Sequence, residues 1–177
     1  DHEMSYLQSL KGAGANVREI PADYGTGIDL TLQAMQDGCD YIYQAQLYLH
    51  PFFGKCDFLK KCSSTPAPAL GIDWSYQPCD TKLAMKAKPY FAIQLCSYAE
   101  MLEAVQGVLP ATFSIILGDG SVQEFRTEEY FYYFRHLKSQ FLKFHDSFVP
   151  DAFPEDIDLP PFSQWKSIGE KMLQDRD

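Results

Sequence analysis

The sequence predicts an α/β fold, a central mixed β-sheet flanked by helices, on three observations. Apolar stripes of helical period run through residues 2–11, 28–37, 89–106 and 128–145. Between them lie β-prone, aromatic-rich runs at 41–49, 52–61, 72–83 and 112–117. Asp119-Gly120 then separates two such runs as a two-residue hairpin signal. Helix, strand meander, helix, hairpin, helix is an order that buries its apolar faces most simply as one sheet covered by helices.

The first helix has Asp1 as its N-cap and Glu3 at the positive end of the dipole. Met4, Leu7 and Leu10 form its apolar stripe, and His2 and Tyr6 share an adjacent face. Gly12-Ala13-Gly14 stops it, and Val17 to Ile20 reads as a short strand ended by Pro21. The second helix turns Ile28, Leu32 and Met35 inward, with Gly38 closing it. Residues 41–49 form one strand running to a turn at His50-Pro51, and 52–61 form the next. Residues 63–71, rich in Ser, Pro and Ala, are a loop between strands. Ile72 to Tyr76 begins a strand whose ladder Pro78 is expected to interrupt before Cys79 to Leu83 resumes it. Pro89 suits the first turn of the long helix, and Phe91, Leu95, Tyr98, Leu102 and Val105 give it one core face. Residues 112–117 and 121–125 are the arms of a hairpin with a type I′ turn. Thr127-Glu128-Glu129 caps a last long helix with more aromatics than one core face needs.

The organisation expected is one domain over residues 1–149 and a proline-containing acidic extension over 150–177. In that extension, Trp165, Ile168 and Met172 mark a short amphipathic helix. The chain opens on Asp1 rather than Met and is read as a fragment or processed domain, with elements missing before it. No apolar run approaches the length of a transmembrane helix, and the first residues do not form a signal peptide. A cytoplasmic location is expected. The five cysteines (39, 56, 62, 79, 96) are odd in number and lack a C-x-x-C pair, which argues against a zinc ribbon or a secreted disulfide framework.

A net charge of −9 argues against a general nucleic-acid coat, but the charge is unevenly spread. Between Lys55 and Lys88 lie six lysines and only three acids, Asp57, Asp73 and Asp80. Asp57 stands in an apolar, strand-like run and needs a partner or a metal. Asp80 and Lys82, two apart on a strand, project from one face. Gln94 and Tyr98 lie one turn apart on a helix. Two carboxylates and an amine on neighbouring strands, backed by a polar helix edge, suit metal-assisted phosphodiester hydrolysis. Each residue also has a plainer reading: a solvent-facing edge acid for Asp57, a loop cap for Asp80, and a solvated face for the lysines.

Gly54-x-x-Asp57-Phe58-Leu59, then Asp80-Thr81-Lys82-Leu83, then Gln94-x-x-x-Tyr98 occur here in the order and spacing of a known signature. The chain resembles the PD-(D/E)XK nuclease superfamily in its RecB-type branch, over most of residues 2–145. It is most similar to the RecB-like nucleases that in longer proteins sit ahead of a helicase. His2-Glu3-x-x-Tyr6-Leu7, Leu117-Gly118-Asp119-Gly120 and Phe125-Arg126 extend the match.

The resemblance implies a restriction-endonuclease-like core and a deoxyribonuclease acting in DNA repair, recombination or processing. It implies single-stranded DNA as the preferred substrate, an exonuclease acting at its ends, and a helicase in cis or trans as partner. By the same resemblance, Asp57, Asp80, the Thr81 carbonyl and His2 would hold Mg²⁺ or Mn²⁺, with Glu3 in place of His2 if the register is shifted by one. Lys82 would act on the attacking water, and Gln94 and Tyr98 would support the site and touch DNA. Lys86 and Lys88 are expected to hold phosphates at the rim, and Gln44 is a further polar candidate on the strand beside Asp57. Some RecB-type nucleases carry an iron–sulfur cluster on cysteines near the C-terminus. No cysteine follows Pro150, so no cluster is expected in this chain. A nuclease fold that binds DNA or protein without cutting is the alternative. A metal-independent hydrolase is less well supported, because no G-x-S-x-G elbow is present.

Overall fold

The computed structural model describes residues 2–23 and 25–149. The chain forms two compact units, residues 1–137 and 138–177. The expected C-terminal extension and its helix, and the Asp1 cap, lie outside the described residues.

The first unit is an α/β fold. Its elements run α1 (His2–Gly12), β1 (Val17–Glu19), α2 (Gly27–Gln36), β2 (Tyr41–Leu49), β3 (Phe52–Cys62), β4 (Ser75–Thr81), α3 (Pro89–Gln106), β5 (Thr112–Ile116), β6 (Val122–Arg126) and α4 (Glu128–Ser147), the last continuing past residue 137. The six strands form one sheet in sequence order, β1 to β6. It is mixed: β1–β2 and β4–β5 are parallel, and the other neighbours are antiparallel. Each parallel pair is bridged by a helix, α2 and α3 respectively, because a parallel step needs a crossover. Among the described residues, no helix is long and apolar enough to cross a membrane.

Adjacent strand residues divide between two apolar clusters, which places the clusters on opposite faces of the sheet. Leu59 and Ile115 join the larger one, with Met35 of α2 and Phe91, Leu95 and Leu102 of α3. Phe58, Cys79 and Ile116 join the smaller one, under Leu7 of α1. Phe131 and Phe134 of α4 close the larger cluster, while Tyr130 packs on Phe113 and Phe125. In the second unit, Phe144 and Phe148 of the described residues stay largely exposed.

Two local expectations are corrected. Pro78 does not break β4, which runs unbroken through it and pairs it with Leu59. The β5 ladder begins only at Cys79, so Pro78 sits where β4 has one partner strand. The hairpin after β5 is not a type I′ turn either. Gly120 has φ +82 and Asp119 does not have positive φ. Gly120 N donates to the Leu117 carbonyl at 2.8 Å and Leu117 N to the Ser121 carbonyl at 2.8 Å. That is a three-residue loop ending on a left-handed glycine. Asp119 Oδ1 accepts from Ser121 N and Oγ at 2.9 and 2.6 Å, which uses its side chain locally and leaves the left-handed position to glycine.

Candidate active site

Strand alternation breaks at one rung of the sheet, and the candidate site is built on that break. Ile42 and Ala45 of β2 both face the larger cluster although they are three apart, and so do Cys56 and Leu59 of β3. Between them the register runs from Tyr43 with Phe58 to Ala45 with Cys56 and skips Gln44 and Asp57. Gln44 has φ +56, the one non-glycine residue with positive φ among those described. A left-handed residue in mid-strand costs on the order of 1–3 kcal/mol and persists only where its surroundings impose it. Here the Gln44 side chain is held by a hydrogen bond from Nε2 to Oε1 of Glu3 on α1. Tyr43 also hydrogen-bonds Glu3, and burial followed by the Glu3 carboxylate pushes its phenol up to about 12.

Asp57 reaches from β3 across the end of β4. Its Oδ2 accepts from Thr81 N at 2.8 Å and from Thr81 Oγ1 at 2.7 Å. These bonds fix the carboxylate next to Asp80. Asp80 is 1% exposed, and burial first and Asp57 second push its carboxyl up to about 7, against the pull of Lys82. Lys82 forms an ion pair with Asp80 Oδ2. That ammonium is the partner of a buried oxygen that receives no other hydrogen bond from the described residues.

Behind this pair runs a chain of hydrogen bonds. Lys82 Nζ donates to Gln94 Oε1 at 3.0 Å, and Gln94 Nε2 to Tyr98 Oη at 3.3 Å. Tyr98 Oη donates to the Lys55 carbonyl at 2.9 Å. Burial pushes Tyr98 up to about 12, so its proton stays in place for that bond. The ring fits because residue 54 is glycine. A Cβ there would stand 2.7 Å from Tyr98 Cε1 and 3.1 Å from Met101 Sδ. The Lys82 ammonium also lies 5.3 Å from the centre of the Phe91 ring.

Of the residues singled out from sequence, Asp57, Asp80, Thr81, Lys82, Gln94 and Tyr98 are thus joined by direct contacts. Thr81 enters through its N–H and hydroxyl, a role the sequence reading did not assign. Gln44, like Asp57, falls at the rung the β2–β3 ladder skips, with its side chain on Glu3. His2 Nε2 lies 3.4 Å from the carbonyl of Ile116, the strand partner of Thr81. Among the described residues, no group of three or more His, Cys, Asp and Glu side chains is placed to hold a metal together. Lys86 lies on the loop after β4 and Lys88 caps α3, its Nζ 5.8 Å from the Tyr90 ring centre. Glu3 is the residue whose part was underestimated. The signal for it was Gln44, a polar residue in an otherwise apolar and aromatic strand.

The donor set fits a divalent cation of the hard, oxygen-seeking kind. Two carboxylates, half-buried Asp57 and buried Asp80, share one corner with a single ammonium, that of Lys82. No family model matches the chain, and no curated protein matches it.

Proposed function

We propose that this chain is a Mg²⁺- or Mn²⁺-dependent deoxyribonuclease of the PD-(D/E)XK superfamily, RecB-type branch, with the restriction-endonuclease-like core. It hydrolyses phosphodiester bonds at single-stranded DNA ends, in DNA repair, recombination or processing, with a helicase in cis or trans. The observation that carries this reading is the buried Asp80 carboxylate, set beside the Asp57 carboxylate and met by the Lys82 ammonium. One ammonium against two carboxylates leaves negative charge that a divalent cation would offset.

Asp57, Asp80 and the Thr81 carbonyl would hold the ion, with His2 or Glu3 of α1 at its flank. When bound, the cation supplies Lewis-acid activation of water and offsets charge on the phosphoryl oxygens. Thr81 holds Asp57 in place through two hydrogen bonds. Lys82 stabilises negative charge developing at the scissile phosphate or orients the attacking water. Gln94 and Tyr98 keep the flexible lysine stem pointed at that position. Lys86 and Lys88 stand at the rim to hold flanking phosphates.

The test is cleavage of end-labelled single- and double-stranded DNA in Mn²⁺, Mg²⁺ or EDTA, with wild type beside Lys82→Ala. Metal-dependent cutting that Lys82→Ala reduces at least a hundredfold is expected. Equal cutting by Lys82→Ala would reject the assignment of the site. No cutting by wild type with either metal would favour a module that binds DNA or protein without hydrolysis.

A further inference from the structure

The loop joining β4 to α3, residues 82–88, turns its apolar side chains the wrong way round for a structural connection. Ala84 and Ala87 pack against the larger core cluster. The large side chains point out: Leu83 is 80% exposed, Met85 66%, and Tyr90, in the first turn of α3, 61%. Lone exposed apolar residues are ordinary, but three within eight residues of chain, directly after Lys82, call for an occupant. The loop is not slack. Lys82 N donates to the Ile116 carbonyl at 2.8 Å, and Gly118 N to the Ala84 carbonyl at 3.1 Å. It is anchored on both sides of Leu83, so the outward display is imposed by the backbone.

The charge on this surface is also distinctive. No Asp or Glu lies between Asp80 and Glu100, a stretch holding Lys82, Lys86 and Lys88, in a chain of net charge −9. Ammonium groups and exposed apolar side chains alternate along it, with the buried Phe91 ring beneath. Lys82 lies over Phe91, Phe91 packs edge-on against Tyr90 with centroids 4.6 Å apart, and Lys88 lies over Tyr90. Phosphates need cations, and unpaired bases need flat or apolar surfaces. A strip offering both in alternation is the arrangement that binds single strands irrespective of sequence. In a duplex the base faces are already stacked, so Leu83, Met85 and Tyr90 would have nothing to cover.

We propose that residues 82–90 are the single-strand binding surface of this protein. Tyr90 stacks on an unpaired base, Leu83 and Met85 cover its neighbours, and Lys86 and Lys88 bind the intervening phosphates. The inference rests on the nuclease reading only for where the strand leads, into the corner formed by Asp57 and Asp80.

The experiment is fluorescence anisotropy in EDTA, where cleavage plays no part. A labelled oligothymidine and a blunt duplex of equal length are the probes, and wild type and Asp80→Asn are measured side by side. The single strand is expected to bind at least tenfold more tightly than the duplex. Tyr90→Ala and the pair Leu83→Ser with Met85→Ser should each weaken single-strand binding by about tenfold. Tyr90→Phe should keep it, and Tyr132→Ala, an exposed aromatic on α4, should leave it unchanged. An oligomer abasic throughout should bind wild type and Tyr90→Ala alike.

Unchanged single-strand binding in Tyr90→Ala and in the double variant would overturn the proposal, as would equal binding of the duplex. A self-associated form that Leu83→Ser with Met85→Ser dissolves would overturn it too, assigning the surface to a second copy. Failure of the nuclease reading appears separately, as single-strand binding without metal-dependent cutting.

Discussion

Strand β4 carries a buried polar cluster near each end, and the two are built oppositely. Near its start, Gln106 of α3 accepts from Tyr76 N at 2.9 Å and donates to the Tyr76 carbonyl at 3.0 Å. It donates also to the Val108 carbonyl at 3.0 Å, while Tyr76 Oη donates to the Cys39 carbonyl at 2.7 Å. Near its close, Asp80 is equally buried but faces another carboxylate, with the Lys82 ammonium alone set against the two. The first cluster ties α3 and the end of α2 to the sheet and asks for nothing more. The second costs stability as it stands, and the cost falls on the residues nearest the proposed chemistry. Burial alone therefore does not separate structural from functional polar groups; whether their charge is balanced does.

Variants that break one end or relieve the other sharpen this contrast. The largest effect is expected from Gln106→Ala, which strips both backbone groups of Tyr76 of their partner inside the core. A loss of about 3 kcal/mol should appear as a lower urea midpoint. A loss below about 1 kcal/mol would mean that the network is not holding α3. Gly54→Ala comes next, since the added methyl meets the Tyr98 ring at 2.7 Å. About 1–3 kcal/mol should be lost in the same measurement, together with DNA cleavage, because Lys82 loses its support through Gln94.

Asp80→Asn should act with the opposite sign on the metal-free fold. The folded-state carboxyl is raised to about 7, so its contribution favours folding at low pH and is lost as pH rises through that value. In EDTA, wild type should lose stability relative to Asp80→Asn between the usual carboxylate range and neutral pH. Thermal melts of both proteins across that window give the difference directly, with about 1 kcal/mol or more in favour of the variant at neutral pH. Parallel curves would remove the idea that this corner is under strain. The smallest change is expected from Tyr98→Phe, which deletes one hydrogen bond to the Lys55 carbonyl. About 1 kcal/mol or less should be lost, with a larger relative fall in turnover than in DNA affinity.

The Asp80 end of this contrast was legible in the sequence, for physical reasons, while the Gln106 end was not. Gln94 reaches Tyr98 because helices return after four. Asp80 and Lys82 meet although β4 ends at Thr81, short of the expected Leu83. Lys82 N still donates to the Ile116 carbonyl and carries the strand's alternation one residue further. The helix positions followed from apolar stripes in the same way. The left-handed Gln44 could not be read so, because alternation is assumed when a strand is recognised. Its only trace is the spacing of three between Ile42 and Ala45 and between Cys56 and Leu59. Thr81 is expected at the site only through its carbonyl, and its N–H and hydroxyl bonds to Asp57 depend on how β3 meets β4. Pro78 misled because a proline's effect depends on which neighbour strand is present. The outward display of Leu83 and Met85 was hidden as well, since a pattern of apolar residues does not say which side the core lies on.

The measurement that bears most directly on the central claim is calorimetric titration of Mn²⁺ into wild type and Asp80→Asn at slightly alkaline pH. One binding event in wild type, lost or weakened at least tenfold in Asp80→Asn, is the result expected of a carboxylate corner that a divalent cation completes. No binding in wild type, or equal affinity in the two proteins, would contradict it.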